Sequence, residues 1–361
     1  MKKSLLAGLL AVIFLSGCRE SADLPMVVAH RGCWLMDGNE FYINENCLAG
    51  VKMAARYGYP AVEIDVKYTL DSVMVIMHDG TINRTMRLAS DYGEIPEPVR
   101  VEDVAFDELR TKYVLESTDP ALRTPIPTLK EELEACREYG VIPMLHSDVV
   151  ESYALAAEMF GDGWIAFDGG VASKAREFSG CLVLVDPGTW PAGKTIEYLK
   201  SVGGRAGMST MKYDMLDEDY ISAVRDAGFE VQASIFPTPH EERAVRDGVS
   251  IQLSDFYWLP AKGVGKKAAF WKAAISDGGE LSWTPDTGRF GDFIAYTLDV
   301  TYIGSLKIDL NGRKYDISRE TPGTEHFGLR LYKDSPKVSI RSAGPASVKV
   351  RAEARAFGKN D

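Results

Sequence analysis

The alternation of apolar runs with amphipathic stretches between Met26 and about Pro260 is the feature that most limits the possible folds. Strands buried on both faces read as continuous apolar runs, whereas helices show an apolar stripe with a period near 3.6 residues. Repeated strand–helix alternation predicts a parallel α/β architecture, and a (β/α)8 TIM barrel is the usual solution at this length. The predicted strands are 27–29, 61–66, 73–77, 142–145, 164–167, 182–185, 230–235 and 250–253, and the predicted helices are 47–57, 128–139, 151–160, 172–179, 195–201, 217–227 and 239–247.

The sequence changes character after Pro260. Residues 263–361 alternate apolar and polar positions, and Asn311-Gly312 is a strong signal for a hairpin turn. We therefore expect an antiparallel β-sandwich accessory domain over 263–361. Its aromatic residues can form a glycan-stacking platform or a hydrophobic core, and the core is the commoner use of aromatic residues in strands. These residues are Trp271, Trp283, Tyr296 and Tyr302.

Residues 1–18 predict an export signal. Lys2 and Lys3 precede an apolar stretch over 5–15 that is too short to span a bilayer stably. The stretch ends in Leu15-Ser-Gly-Cys18, which resembles the lipobox of bacterial lipoproteins. We expect lipidation at Cys18, a linker over 19–25 and a lipid-anchored protein in the cell envelope. The alternative is an ordinary signal peptide that happens to contain a cysteine.

Charge and cysteine content exclude some partners. The formal net charge of -11 argues against nucleic-acid binding, because no basic excess is present to replace the counterions of a phosphate backbone. The cysteines after Cys18 match no zinc or redox spacing. We expect these four, Cys33, Cys47, Cys136 and Cys181, to serve mainly as small apolar packing residues.

Two histidines, His30 and His78, follow apolar runs and begin short polar clusters. Between them, the apolar segment 61–66 contains Glu63 and Asp65 two positions apart. Residues i and i+2 of a strand face the same side, so these carboxylates should converge. All four residues lie at or near predicted strand ends, and the carboxyl ends of barrel strands form the catalytic face. The pattern predicts a site for phosphate and metal.

The residue types suit phosphodiester cleavage. Glu63 and Asp65 can hold a hard cation such as Mg²⁺ or Ca²⁺, which would neutralise phosphate charge. Arg31 can add charge-assisted hydrogen bonds to the same phosphate. His30 and His78 can divide the acid and base roles near neutral pH, and the sequence does not decide which histidine has which role.

The stretch from His30 to Asp79 resembles the glycerophosphodiester phosphodiesterase family. The resemblance extends over roughly 26–260 and implies a barrel at 26–262 with a small insertion at about 79–124. It also implies metal-dependent hydrolysis of a small phosphodiester to an alcohol and glycerol phosphate, through a cyclic phosphate. The matching pieces are His30-Arg-Gly32, Glu45-Asn46, Glu63-Ile-Asp-Val66, Thr69-Leu-Asp71, His78-Asp79, Asn83-Arg-Thr85, Ile126-Pro-Thr-Leu129 and Ser254-Asp255.

The resemblance further implies roles for individual residues. They are acid–base catalysis for His30 and His78, binding of one divalent cation for Glu63 and Asp65, and phosphate binding for Arg31. Glu45 is assigned to the phosphate site, with capping of the following helix as the alternative. Asp79 is expected to orient its surroundings rather than to perform chemistry.

One strand departs from the family pattern of glutamate, apolar residue and lysine. This chain reads Ile142-Pro-Met-Leu-His-Ser-Asp148, so that His146 takes the place of the glutamate and Asp148 that of the lysine. If His146 ligates the metal, the mixed nitrogen and oxygen donors make Mn²⁺ or Zn²⁺ more plausible. Alternatively, Asp148 restores the missing carboxylate, or the site has changed its substrate or lost its activity.

Two classes of function therefore stay open. The first is an envelope phosphodiesterase that acts on glycerophosphodiesters or a related phosphodiester. The second is a lipid-anchored binding protein whose degenerate barrel holds a phosphorylated or glycan ligand. Retention of both histidines and of the carboxylate pair favours the enzyme, because a pure binding protein would not need them.

Overall fold

The computed structural model describes residues 26–37, 40–57, 59–167, 171–210, 218–235, 248–254, 266–275, 279–284, 293–310, 312–332, 337–342 and 347–357. The predicted signal, Cys18 and the linker lie outside these residues, as do the predicted helix 239–247 and the boundary between the two predicted domains. Within the described ranges, no helix combines the length and apolarity needed to cross a bilayer.

The described elements alternate strands and helices up to residue 254 and consist of strands from residue 266 onward. The helices are α1 (Leu48–Tyr57), α2 (Phe106–Lys112), α3 (Leu129–Tyr139), α4 (Val150–Phe160), α5 (Ala192–Val202) and α6 (Glu218–Asp226), with short 3-10 helices at Val101–Asp103, Pro120–Leu122 and Ala172–Glu177. The strands are β1 (Met26–Ala29), β2 (Leu35–Asp37), β3 (Glu40–Ile43), β4 (Ala61–Tyr68), β5 (Met74–Ile76), β6 (Met86–Leu88), β7 (Tyr113–Leu115), β8 (Ile142–Ser147), β9 (Ile165–Phe167), β10 (Leu182–Val185), β11 (Ala206–Thr210), β12 (Glu230–Ile235), β13 (Ile251–Ser254), β14 (Lys266–Ile275), β15 (Gly279–Trp283), β16 (Phe293–Leu310), β17 (Arg313–Tyr332), β18 (Val338–Ser342) and β19 (Ser347–Phe357).

Eight parallel strands close into a barrel, which confirms the predicted TIM fold. The ring runs β1, β4, β8, β9, β10, β11, β12 and β13, and it closes because β1 pairs with both β13 and β4. Apolar side chains from several strands fill the interior, as in packed barrel cores. They include Val28, Ala61, Met144, Ile165, Phe167, Leu182, Leu184, Ile251 and Leu253.

The set of eight barrel strands differs from the prediction at two places. The predicted strand 73–77 is β5, which pairs antiparallel with β4 outside the ring. The eighth barrel strand is instead β11, which reads Ala-Gly-Met-Ser-Thr and lacks the apolar run that marks the others. Small residues are required there, since a Cβ on Gly207 would lie 2.6 Å from the carbonyl oxygen of Glu230. Because close packing requires a small residue at Gly207, β11 lacks the apolar run from which the other strands were predicted.

Local sequence explains how the helix α3 begins and ends. Thr128 and Glu131 form a capping box at its start, and Gly140 adopts the left-handed conformation (φ 68°) at its end. The predicted helix 172–179 is a 3-10 helix over Ala172–Glu177. All four cysteines after Cys18 are free and buried, which confirms their expected packing role.

The predicted insertion contains α2 and the small β6–β7 sheet. It is joined to a β2–β3 hairpin that the sequence pattern did not indicate. The side-chain amide of Asn44 donates to the backbone oxygens of Thr85 and Glu116, each at 2.9 Å, and the Thr118 N–H donates to the Phe41 oxygen at 2.7 Å. The two loops therefore form one wall beside the barrel opening.

The C-terminal strands confirm the predicted antiparallel arrangement. In the described residues they form one branched sheet, whereas the predicted sandwich would have two packed sheets. β16 pairs with β17 on one edge and with β19 and β18 on the other, while β14 and β15 extend the two branches. The hairpin between β16 and β17 turns at Gly312, with Leu310 opposite Arg313. Trp271 stacks on Trp283 at 5.6 Å within this domain, and Tyr296 and Tyr302 are buried in its core.

Helix α1 links the barrel to the C-terminal sheet through Arg56. The guanidinium forms an ion pair with Glu325 and lies 5.8 Å from the ring centroid of Phe327. The backbone oxygen of Arg56 accepts a hydrogen bond from the Tyr315 hydroxyl at 3.3 Å. Helix α1 begins at Leu48, shortly after Glu45 at the barrel opening. The C-terminal sheet therefore contacts the last turn of a helix whose first turn lies near the site.

Candidate active site

Three of the predicted site residues, Glu63, Asp65 and His146, continue the inward-facing rows of the barrel strands. On β4, Glu63 and Asp65 continue the row of Ala61, while Val62 and Ile64 face the surrounding helices. His146 is paired directly with Asp65 in the register of β8 and β4. On β4 and β8 the inner row is thus apolar below and polar at the carboxyl end of the strand, so these functional groups meet where the apolar row ends.

Three of these side chains form a cluster suited to a metal ion. The Nδ1 atom of His146 lies 3.0 Å from Oδ1 of Asp65 and 3.6 Å from Oε1 of Glu63. Donor atoms from all three residues lie within 4.8 Å of one another. Glu63 and Asp65 are buried, and only His146 is partly exposed. Among the described residues, no other group of His, Cys, Asp or Glu meets this spacing.

Electrostatics in the cluster reflect its opposite charges. Burial lowers the pKa of His146, but hydrogen bonds to Asp65 and Glu63 outweigh burial and raise the pKa to about 10. Burial likewise would raise the pKa of Asp65, but the His146 hydrogen bond and charge hold it well below its usual range. In the absence of a cation, the histidine proton therefore compensates for the carboxylate charge.

The loop after β1 holds the two carboxylates in place. Arg31 has a left-handed backbone (φ 56°), and its N–H donates to Oε2 of Glu63 at 2.8 Å. Asn46, also left-handed (φ 50°), donates from Nδ2 to Oδ2 of Asp65 at 3.0 Å. The backbones join where the Asn46 N–H donates to the Arg31 oxygen at 2.8 Å. Such unfavourable backbone conformations persist only where surrounding contacts fix them, and they are common at functional sites.

A second charged cluster lies beside the first, around Glu45. This buried carboxylate accepts from Nη1 of Arg31 at 3.2 Å and from both terminal nitrogens of Arg84 at 2.6 and 2.9 Å. The Nε atom of Arg31 is also 3.7 Å from Oδ2 of Asp65. Glu45 therefore lies between two guanidinium groups in the part of the site assigned to the phosphate.

Arg84 is the residue whose place in the site the sequence did not indicate. It comes from the insertion, 39 positions after Glu45. Besides Glu45, it bonds through Nε to Oδ2 of Asp79 at 2.7 Å. The signal that could have identified it was the Asn83-Arg-Thr85 piece of the family resemblance, to which no role had been given. Asn46 belonged to another such piece.

His78 follows the antiparallel strand β5, whereas the sequence predicted it at the end of a barrel strand. β4 continues past the end of its pairing with β8, and the antiparallel β5 returns along it, so that the Met77 N–H donates to the Asp65 oxygen at 3.1 Å. Nδ1 of His78 lies 2.7 Å from Oδ1 of Asp79, which leaves its Nε2 for a second partner. The Arg84 hydrogen bond is the main cause that lowers the pKa of Asp79 to about 2, so this carboxylate stays ionised beside the ring.

The two remaining predicted residues occupy different surroundings. His30 is buried directly after β1, and its N–H donates to the Ser254 oxygen of β13 at 3.3 Å, across the point where the barrel closes. Asp148 lies beyond the end of β8, is exposed, and is not in the His146 cluster. The structure therefore brings His146 to the carboxylate pair, whereas Asp148 lies outside it.

Part of the chain that carries these residues is similar in sequence to known proteins. The sequence model of the Glycerophosphoryl diester phosphodiesterase family matches residues 30–145. Mouse glycerophosphodiester phosphodiesterase 1 is 32% identical over 124 residues, which span 33% of this chain and 32% of the mouse protein. The matched region thus covers only about a third of that relative.

Solved structures show the same fold. A phosphodiesterase from Oleispira antarctica, in complex with the product sn-glycerol-3-phosphate, superposes with a TM-score of 0.50 at 23% identity over 64% of this chain and 94% of its own. A glycerophosphoryl diester phosphodiesterase from Parabacteroides distasonis gives 0.50 at 21% identity over 65% and 84%. Both likenesses extend over a share of the chain close to the size of the barrel.

Proposed function

We propose that the chain, whose residues 30–145 match the glycerophosphoryl diester phosphodiesterase family model, is an enzyme of this family and hydrolyses a glycerophosphodiester to an alcohol and glycerol phosphate with the help of one divalent cation. The observation that carries the proposal is the meeting of two clusters at the barrel opening. One offers metal donors from Glu63, Asp65 and His146, and the other offers two guanidinium groups around Glu45. A phosphodiester needs both kinds of group, because its charge repels nucleophiles.

The donor atoms fit a divalent ion. Ligands bound at about 2.1 Å from a metal lie about 3 to 3.5 Å from each other. The 3.0 and 3.6 Å separations around His146 Nδ1 are of this size. A cation held by Glu63, Asp65 and His146 would neutralise phosphate charge and act as a Lewis acid. A nitrogen donor among carboxylates favours Mn²⁺ or Zn²⁺ over the Mg²⁺ or Ca²⁺ of an all-oxygen site.

The protein side chains supply binding and proton transfer. Arg31 and Arg84 hold the phosphate oxygens, because the two guanidinium groups that flank Glu45 can donate charge-assisted hydrogen bonds to them. Asp79 fixes the tautomer and orientation of His78, so that Nε2 exchanges a proton with the substrate. His30 is the partner in acid–base catalysis: one histidine accepts the proton of the attacking glycerol hydroxyl, and the other protonates the leaving alcohol oxygen. Water then opens the resulting cyclic phosphate to glycerol phosphate, with the two histidines in exchanged roles.

Hydrolysis of glycerophosphocholine tests the activity. Release of choline should require a divalent ion, stop with chelator and fall by at least about a hundredfold in His78→Ala. The matched control is Lys112→Ala, an exposed insertion residue that pairs with Glu108 at 2.7 Å and should keep full activity when replaced. If the protein binds glycerol phosphate but releases no alcohol with any divalent ion, the binding-protein alternative replaces the enzyme.

Direct metal binding tests the ligand assignment independently of activity. By calorimetry, His146→Ala should weaken Mn²⁺ or Zn²⁺ binding by about tenfold or more, whereas Asp148→Ala should not change it. Loss of binding in Asp148→Ala with retention in His146→Ala would reverse the assignment. In His146→Glu all the donor atoms are oxygens, so the metal preference should shift toward Mg²⁺ or Ca²⁺.

Localisation in the cell envelope is a separate part of the proposal. It rests on the lipobox-like Leu15-Ser-Gly-Cys18 sequence. Cys18→Ser should abolish incorporation of labelled fatty acid and release the protein from the membrane fraction. Fatty-acid labelling that persists in this variant would refute lipidation at Cys18.

A further inference from the structure

The outer face of the C-terminal sheet carries a groove with a volume of about 600 Å³. Side chains alternate along each strand, so residues between core positions face outward here. The groove crosses four strands in the order β14, β19, β16 and β17. We call it the basic groove; its outward-facing lining consists of Lys272, Ala274, Asp299, Thr301, Thr324, Lys349 and Arg351.

Strand register arranges this lining in two rows across the sheet. In the first row, Lys272 lies opposite Arg351, and Arg351 lies opposite Asp299. The second row runs from Ala274 through Lys349 and Thr301 to Thr324. The hydroxyls of Thr301 and Thr324 are 2.8 Å apart. The cations thus lie on β14 and β19, and the hydroxyl groups lie on the neighbouring strands β16 and β17 together with Asp299.

The charge of the basic groove is unusual for this chain. Three cations and one carboxylate line it, although the whole chain has a net charge of -11. Like charges placed directly opposite on neighbouring strands are destabilising, and Lys272 and Arg351 form such a pair. Both cations lie near the ring of Phe270, at 5.5 and 5.8 Å, and Asp299 lies opposite Arg351, so that the ring and the carboxylate offset part of the repulsion. An anion bound between them would offset it further.

We infer that the basic groove binds an anionic, hydroxyl-rich chain, namely a saccharide or polyol that bears phosphate or sulfate esters. The lysines and Arg351 provide charge-assisted bonds to the ester oxygens, and the threonines suit the hydroxyl groups. The site lies in a different domain from the histidines of the barrel, so it would hold such a polymer apart from the reacting bond.

Calorimetry on the full chain tests the inference with two soluble probes, a sulfated hexasaccharide and a short linear polyphosphate. Neither is a glycerophosphodiester, so the result does not depend on the proposed catalysis. Binding should weaken as salt concentration rises, and Arg351→Glu should weaken it by at least about tenfold. The matched control is Lys307→Glu, an exposed lysine of the same domain outside the groove, which should bind as the unaltered chain does.

A second variant and a vesicle-binding measurement complete the test. If Arg351→Glu fails to fold, the double variant Lys272→Gln, Lys349→Gln should show the same loss without adding negative charge. Both variants should hydrolyse glycerophosphocholine at the unaltered rate, because the groove is outside the barrel. Equal probe affinity in groove variants and control would overturn the inference. Binding to vesicles rich in anionic lipid without binding to either soluble probe would also overturn it, in favour of a membrane surface.

Discussion

Glu132 on α3 offers a direct test of how burial controls stability in this barrel. Its side chain is buried, and its Oε2 atom has no hydrogen-bond partner in the described part of the chain. Burial is the main cause that raises the pKa of this carboxyl from 4.5 to about 8, and neighbouring Glu131 adds to it. The neighbouring thiols of Cys47 and Cys136 offer no compensating charge. The group is therefore neutral in the folded protein at neutral pH.

The sign of the pH dependence follows from proton uptake. Between its ordinary pKa and a pKa near 8, the folded protein retains a proton that the unfolded chain releases. The contribution of Glu132 to the free energy of unfolding should therefore fall as pH rises, by up to about 1.4 kcal/mol per pH unit, and this loss at pH 7 should be on the order of 3 kcal/mol. Glu132→Gln keeps the shape but cannot ionise, so it should be more stable by about 2 to 3 kcal/mol at pH 7 and by little near pH 5.

Urea unfolding at several pH values between about 5 and 8 measures this difference. The matched control is Glu134→Gln, an exposed carboxylate on the same helix, for which the change should stay within about 0.5 kcal/mol. Parallel stability curves for Glu132→Gln and the unaltered chain over this range would refute the reasoning. A variant that is less stable than the unaltered chain at pH 7 would refute it as well.

Three other predictions concern charged contacts. Arg84→Gln should lower kcat on glycerophosphocholine by about tenfold or more with a smaller effect on stability, because it removes a phosphate-side cation; unchanged kcat would exclude that role. Asp79→Asn should lower kcat by about tenfold or more by releasing His78 from its oriented tautomer, and a normal pH–rate profile in this variant would contradict the assignment. Arg56→Ala should lower the free energy of unfolding by about 2 kcal/mol, since it leaves a partly buried partner unpaired, whereas Arg341→Ala at an exposed ion pair should cost less than about 1 kcal/mol; equal losses would contradict the domain contact.

The sequence predicted the barrel because strand–helix alternation is a local pattern that burial imposes on each element separately. The prediction of individual strands was wrong where the local apolar pattern of a segment does not match its place in the fold. The strand β11 contains small and polar residues because neighbouring strands approach closely at Gly207, so its burial left no apolar run. The strand β5 has an apolar run but belongs to a hairpin outside the ring.

The chain by itself determined which side chains are available for chemistry: the histidines, the carboxylate pair two positions apart and Arg31. Only the tertiary structure decided how they meet. The pairing of β8 with β4 places His146 beside Asp65, the end of β8 leaves Asp148 outside, and the insertion supplies Arg84. The physical reason is that alternation along a strand fixes a face, whereas distances between strands and loops depend on register and on closure of the barrel. Those are properties of the whole fold, which no single segment encodes.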